Sequence, residues 1–353
     1  MKIVIFGLSV SSSWGNGHAT IWRGLIRELV NRGHTIVFFE KDVPYYAFNR
    51  DLNKLIGMEL ELYGEWDEIK TKAAQALTKA DAAIVTSYCP DALAALDLIQ
   101  SSKINLSVFY DLDSPVTLSN VEKGEMPFYI GPSKLSQYDL VLSFTGGIAI
   151  EKLKTVLGAK VVFPLYGCAD PFTHKPSQAQ SHYRGDLSYL GTFAKDRQDA
   201  LEQLFIEPAR NYPKGRFVIG GAQYPPDFPW LSNIYFVQHV VPSEHSAFYC
   251  SSSFTLNITR KAMATMGYCP SGRLFEAAVC EVPVISDYWE GLDYFFTPGE
   301  EILVAQNWRD VIECLNLSSE KRAKIASSAK KRAFENHTAA VRAAELENIL
   351  QGF

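Results

Sequence analysis

The run Pro270-Ser271-Gly272-Arg273-Leu274-Phe275-Glu276 carries the strongest chemical pattern in the chain. Pro270 and Ser271 mark a helix start, with Ser271 as a natural N-cap. Gly272 leaves the first-turn amides unobstructed, so a phosphate can approach them. Glu276 follows one turn beyond Arg273, where a carboxylate can accept two hydrogen bonds from a ribose diol. The blander outcome is a capped helix with a surface glutamate. A second pattern is Gly15-Asn16-Gly17-His18. Gly15 and Gly17 let backbone come close to a ligand, and His18 offers an imidazole able to take a proton from a hydroxyl.

These residues need elements that hold them. Lys2–Leu8 is a continuous apolar run that ends in the loop 9–17. His18–Asn31 has helical spacing, Gly33 stops it, and His34–Glu40 is a second strand. The rhythm continues through strands at Ala82–Ser87, Asn105–Tyr110, Asp139–Phe144 and Lys160–Leu165, with helices at Asp91–Gln100 and Ile148–Leu157. Residues 166–186 have no period and read as a linker. A second set follows, with strands at Leu187–Gly191, Arg216–Gly220, Ile234–Gln238, Phe254–Ile258 and Pro283–Ser286. Helices fall at Gln198–Phe205, Ser243–Cys250 and Ser271–Cys280, and two more close the chain.

Strands separated by helices pair in parallel through right-handed crossovers. The fold class is therefore α/β, with two Rossmann-like doubly wound domains. They span 1–165 and 187–336, and a C-terminal helix in 337–353 packs back on the first. Ligands in such sheets sit beyond the carboxyl ends of the strands, which makes an interdomain cleft the expected site.

Composition narrows the classes. The chain has 353 residues, 34 Lys and Arg against 39 Asp and Glu, a net charge of −5 and 47% hydrophobic residues. That excludes a disordered chain, a collagen and a disulfide mini-protein. A net negative chain without a basic run argues against dedicated nucleic-acid binding. The six cysteines have no CxxC pair, which disfavours structural zinc and fits a reducing cytosol. No apolar stretch reaches the length of a transmembrane span, and the N-terminal run reads as a buried strand rather than a signal peptide.

Two arginines suit an anion: Arg260 follows the Phe254–Ile258 strand and Arg197 follows Leu187–Gly191. Both stand just past strand carboxyl ends, with Lys261 and Lys195 as close seconds. A guanidinium fork can chelate phosphate oxygens. The Gly15/Gly17 loop also permits a dinucleotide reading in which Glu40 holds a ribose. Thr20 replaces the third glycine, however, and the loop is too long for the tight turn that fingerprint needs. His239 and His245 flank the turn before the Ser243–Cys250 helix, where a pyrimidine or purine ring could stack, and the blander reading is a packed loop histidine.

The stretch Leu274–Asp287 (LFEAAVCEVPVISD) resembles the nucleotide-sugar motif of GT-B glycosyltransferases of the group-1, GT4-like clan. With Asn257-Ile-Thr-Arg260 and Gly267-Tyr-Cys-Pro-Ser271 it is most similar to the CgeB/YkvP-like branch. Ser11–Thr20, Phe109–Leu118 and Leu165–Pro171 resemble that branch as well, so the likeness spans nearly the whole chain. It implies a GT-B fold, a nucleoside-diphosphate-sugar donor on the C-terminal domain and a hydroxyl acceptor on the N-terminal one. Donor residues would be Glu276, Ser271, Gly272, Arg260 and Arg197, and the base His18 or Asp113. No metal or resident cofactor is expected. Asp111-Leu-Asp113 resembles the metal-binding DxD of the GT-A fold, but it lies in the acceptor half. One departure stands out: group-1 enzymes usually pair two glutamates eight positions apart, and eight before Glu276 stands Tyr268. That keeps open a catalytically inactive glycan-binding or surface-assembly protein, and a nucleotide-sugar epimerase is a third reading.

Overall fold

Runs such as Ile3-Val4-Ile5-Phe6 and Ala82–Val85 show neither face to water, and every one of these residues is buried. Strands of that kind belong to parallel sheets covered on both sides. The computed structural model describes residues 1–52 and 54–353. It divides into unit 1, Met1–Gly167 with Ala339–Phe353, and unit 2, Cys168–Thr338.

Unit 1 holds β1 (Lys2–Gly7), β2 (Thr35–Lys41), β3 (Met58–Tyr63), β4 (Ala82–Thr86), β5 (Leu106–Asp111), β6 (Leu140–Ser143) and β7 (Val162–Pro164). Their order is β3-β2-β1-β4-β5-β6-β7, and neighbours pair in parallel. The order reverses between β1 and β4, which is the switch point where such sheets bind ligands. The sequence reading had no strand at β3. Glu59 and Glu61 alternate there with apolar residues, as expected for an edge strand with one wet face.

Unit 2 holds β8 (Gly185–Leu190), β9 (Phe217–Gly221), β10 (Ile234–Gln238), β11 (Ser252–Asn257), β12 (Val284–Ser286) and β13 (Leu303–Val304). The order is β10-β9-β8-β11-β12-β13, again with parallel neighbours, and the switch point lies between β8 and β11. The core gathers Leu187, Tyr189, Phe205, Phe217, Phe254 and Leu256. The non-periodic segment after Cys168 belongs to this unit. Ala169 N–H donates to His337 O at 2.9 Å, and Ser246 Oγ donates to Thr173 O at 2.9 Å.

The helix Ala339–Gln351 belongs to unit 1. Ala343 and Leu346 are fully buried. Its Glu347 accepts Arg32 Nε at 2.6 Å and lies 3.1 Å from His34 Nε2. Among the described residues no helix is long and apolar enough to cross a membrane.

The loop after β1 is pinned by Glu40, at the end of β2 and fully buried. Its carboxylate accepts Ser9 Oγ at 2.9 Å, Val10 N at 2.7 Å, Ser11 N at 3.0 Å and Ser11 Oγ at 2.5 Å. A carboxylate so saturated is not available to a ribose, which removes the dinucleotide alternative. Glu40→Ala would strand several buried donors, each costing about 1–3 kcal/mol. The expected loss is about 3 kcal/mol or more, or roughly 6–12 °C in Tm for a unit of this size. Thermal melts that coincide with the unmutated chain would show that the loop is held by something else.

Candidate active site

In unit 2 the helix Gly272–Val279 starts where the sequence places it, and a short helix, Lys261–Met266, which the sequence does not announce, separates it from β11. Ser271 occupies the N-cap position with extended backbone, but its side chain makes no capping hydrogen bond. This corrects the expectation that Ser271 caps the helix, and it leaves the first turn without a side-chain acceptor. A Cβ added at Gly272 would meet only Glu276 Oε1, at 3.6 Å. The helix entrance and the Glu276 carboxylate are therefore immediate neighbours.

Glu276 is not a surface residue: its relative exposure is 9%. Tyr249 OH donates to Oε2 at 2.8 Å, and His174 and His245 face the carboxylate at 3.9 and 3.8 Å. Burial pushes this carboxyl up. The facing imidazoles, the Tyr249 hydroxyl and the Arg273 guanidinium outweigh that and hold it below the ordinary 4.5. Burial pushes His245 down to about 4, against the pull of Glu276.

Arg273, which the sequence reading left without a role, bridges the ends of two strands. Its Nε donates to Leu190 O at 2.5 Å and its Nη1 to Asn257 Oδ1 at 2.8 Å. The guanidinium carbon lies 5.1 Å from the centre of the Tyr189 ring. A side chain at Gly191 would come within 3.0 Å of Arg273 Nη2, so glycine at the end of β8 makes room for this bridge.

Arg197 and Arg260 come from the loops after β8 and β11, on either side of the switch point. Arg197 Nη2 donates to Thr192 O at 2.9 Å, and its Nε is buried with no partner among the described residues. Arg260 Nε donates to Asp196 Oδ2 at 2.9 Å. Asp196 is the neighbour of Arg197 in sequence, so this ion pair ties the two cationic loops together. Asp287 fixes the second loop by accepting Thr259 N at 3.0 and 3.1 Å. Lys195 and Lys261 are exposed.

Tyr268 adopts φ +44°, directly after Gly267 at φ +69°. Its N–H donates to Glu290 O at 2.7 Å, and a Cβ on Gly291 would come 2.7 Å from its ring. The ring therefore packs on the Glu290–Gly291 turn. A bulky residue at positive φ is strained backbone.

Unit 1 gathers a second cluster at the ends of β1, β4 and β5. Gly15 sits at φ +57°, and a Cβ on Gly17 would meet nothing within 4 Å. Asn16 caps the helix Gly17–Asn31, with Oδ1 accepting His18 N at 3.0 Å. Burial pushes the His18 imidazole down to about 4, so it is neutral at pH 7, and its Nδ1 is buried with no partner among the described residues. The His18 ring lies 5.8 Å from that of Tyr88. Tyr88, at φ +63°, donates its hydroxyl to Asp113 Oδ2 at 2.9 Å. Tyr88 thus bridges the two base candidates, a role that no spacing in the sequence announces.

Asp111 is wholly buried. Its Oδ1 accepts Asp113 N at 3.1 Å and Thr117 Oγ1 at 3.2 Å. Burial pushes its carboxyl up to about 7, partly offset by those donors. The two aspartates differ in setting: Asp111 faces the protein interior, while Asp113 turns to Tyr88.

Residues 197–348 match the family model described as glycosyl transferase-like. No curated protein sequence matches the chain. Among solved structures the chain is similar to sucrose-phosphate synthase from Thermosynechococcus elongatus, with 12% identity over 100% of this chain and 98% of that chain at a TM-score of 0.76. HepE of Anabaena, in complex with UDP and glucose, is 13% identical over 100% of both chains at 0.67. An alpha-glucosyltransferase in complex with UDP-glucose and DNA containing an abasic site is 10% identical over 99% of each chain at 0.74. At these identities the likeness is one of fold: the two parallel-sheet units have the GT-B architecture.

The Asp111 carboxyl gives a pH test. Folded, it keeps its proton to about 7, while its ordinary value is 3.8. The folded state then binds more protons in that window, and stability from this group falls as pH rises from about 4 to about 7. Asp111→Asn removes the slope, so urea melts of the variant should flatten across that range and match or exceed the unmutated chain near pH 8. Parallel profiles for the two proteins would contradict the placement of this proton.

Proposed function

We propose that the protein is a glycosyltransferase that moves a sugar from a nucleoside-diphosphate sugar to a hydroxyl acceptor. The observation that carries this reading is the buried Glu276 carboxylate beside the uncapped entrance of the Gly272–Val279 helix. A carboxylate held ionised there accepts the two ribose hydroxyls, while the helix amides and dipole draw the adjoining diphosphate. The glycosyl transferase-like match includes this helix, and HepE, of the same fold, is described with UDP and with UDP-glucose. UDP is accordingly the first nucleotide to test. The NITR and RLFEAA runs support the narrower placement in the CgeB/YkvP-like branch.

In this mechanism the bond from the anomeric carbon to the diphosphate oxygen breaks, and its electron pair leaves with the diphosphate. Arg197 and Arg260 stabilise the charge that builds there, with Arg260 exchanging Asp196 for phosphate. The acceptor oxygen bonds to the anomeric carbon. Its proton goes to His18 Nδ1 or Asp113 if configuration inverts, or to the leaving phosphate if it is retained. His18 suits a base because burial keeps it neutral. Cations and amides supply the electrostatics, so transfer runs without a metal. Tyr268 in place of a glutamate favours a second reading, a non-catalytic protein that still binds the nucleotide sugar.

Glu276→Gln and Glu276→Ala are each expected to weaken UDP by about 10- to 100-fold, the worth of one to two hydrogen bonds to a charged group. Isothermal titration reads this directly, and undiminished affinity in both variants would sink the donor assignment. Turnover of UDP-glucose in the presence of acceptor separates the enzyme from the non-catalytic reading. EDTA should not lower it.

A further inference from the structure

Two histidines, hydrogen-bonded to each other, face the Glu276 carboxylate at distances that hydrogen bonding to it does not explain. His174 Nε2 lies 3.3 Å from His245 Nδ1, 3.9 Å separates it from Glu276 Oε1, and His245 Nδ1 is 3.8 Å from Glu276 Oε2. One ligand atom from each residue lies within 4.8 Å of the other two. The contacts to the carboxylate are too long for hydrogen bonds, and a water at their centre would be far inside its normal partner distance of about 2.7–3.0 Å. An ion fits better. Zinc binds imidazole nitrogen and carboxylate oxygen at about 2.0–2.2 Å, which sets neighbouring ligands of a tetrahedron about 3.3–3.6 Å apart.

The surroundings prepare each ligand. His245 Nε2 lies 3.2 Å from Val240 O. That contact places the ring proton on Nε2 and turns the Nδ1 lone pair into the gap, the usual outer support of a metal-bound histidine. Tyr249 OH steadies the carboxylate. His174 is fully buried, and its Nδ1 meets no partner among the described residues. The backbone around it is anchored: His174 N donates to Asp170 O at 2.7 Å, and Lys175 N donates to Ser246 Oγ at 3.1 Å, on the helix that carries His245.

We propose that His174, His245 and Glu276 bind a divalent ion of the zinc class with its fourth position open. Because ribose and ion claim the same carboxylate, each excludes the other, a consequence that rests on the donor reading above. The ion is an inhibitor of nucleotide binding and takes no part in sugar transfer.

The test uses the full chain, stripped with chelator and dialysed against zinc, with metal content measured by mass spectrometry. One zinc per chain is expected, with His174→Gln and His245→Gln each losing at least about tenfold in affinity. Absence of stoichiometric zinc overturns the proposal, and so does zinc affinity undiminished from that of the unmutated chain in both variants. If the variants fail to fold, cobalt added to the unmutated chain decides. An intense tetrahedral visible spectrum supports the site, and the weak spectrum of the hydrated ion refutes it. UDP is then titrated into zinc-free protein and into desalted protein carrying one equivalent. Binding weakened at least about tenfold by zinc supports exclusion, and equal binding overturns it. Zinc bound at this trio with UDP bound by neither form would instead refute the donor reading and leave the ion site standing.

Discussion

A carboxylate withdrawn from water must be met by donors or positive charge, and in unit 2 the rest of the site is arranged around meeting that demand at Glu276. The helix that carries it, the helix that carries Tyr249 and His245, and the stretch that carries His174 come from three separate parts of the chain. Each brings a group to the same two oxygens. Arg273, one turn earlier on the same helix, adds a guanidinium that also ties the ends of β8 and β11. The result is a negative charge held ready next to an open run of backbone amides. Such a pairing suits a ligand that is anionic at one end and rich in hydroxyls at the other.

Unit 1 applies the same rule with different outcomes. Glu40 is answered by four donors from a single serine-rich loop and so becomes a structural pin. Asp111 is answered only partly and keeps its proton instead. Asp113 is reached by a phenol from the end of the neighbouring strand, and beside that phenol stands a neutral histidine. Three carboxylates at strand ends thus take three roles according to how many donors each finds. Residue type alone does not separate them.

That explains which features could be read from the sequence. Strands buried on both faces leave unbroken apolar runs, and β1, β2, β4, β5 and β6 were legible for that reason, while the edge strand β10 was legible from its apolar residues although Tyr235 and Phe236 face water. The edge strand β3 hides its nature behind Glu59 and Glu61, and β13 is two residues long. The helix at Gly272 was legible because its start depends on local residues. The partners of Glu276 were not, since His174 lies in a segment with no period and nothing in the sequence singles out Tyr249. The bridge through Tyr88 depends on a backbone angle, φ +63°, and composition carries no trace of it. Ser271 misled in the opposite sense: it has the right side chain in the right place, yet that side chain does not cap.

The chain passes from one unit to the other at Gly167 and returns at Ala339. Unit 2 is therefore an insertion, complete in itself once residue 338 has been made. Unit 1 is not, because its helix Ala339–Gln351 is made only after the whole of unit 2. Until then the apolar face of the Gly17–Asn31 helix and the Arg32 and His34 side chains wait without their partner. During synthesis unit 2 can therefore settle before residues 339–351 complete unit 1. Removal of residues 339–351 would accordingly injure the unit that holds β1 rather than the one that precedes them.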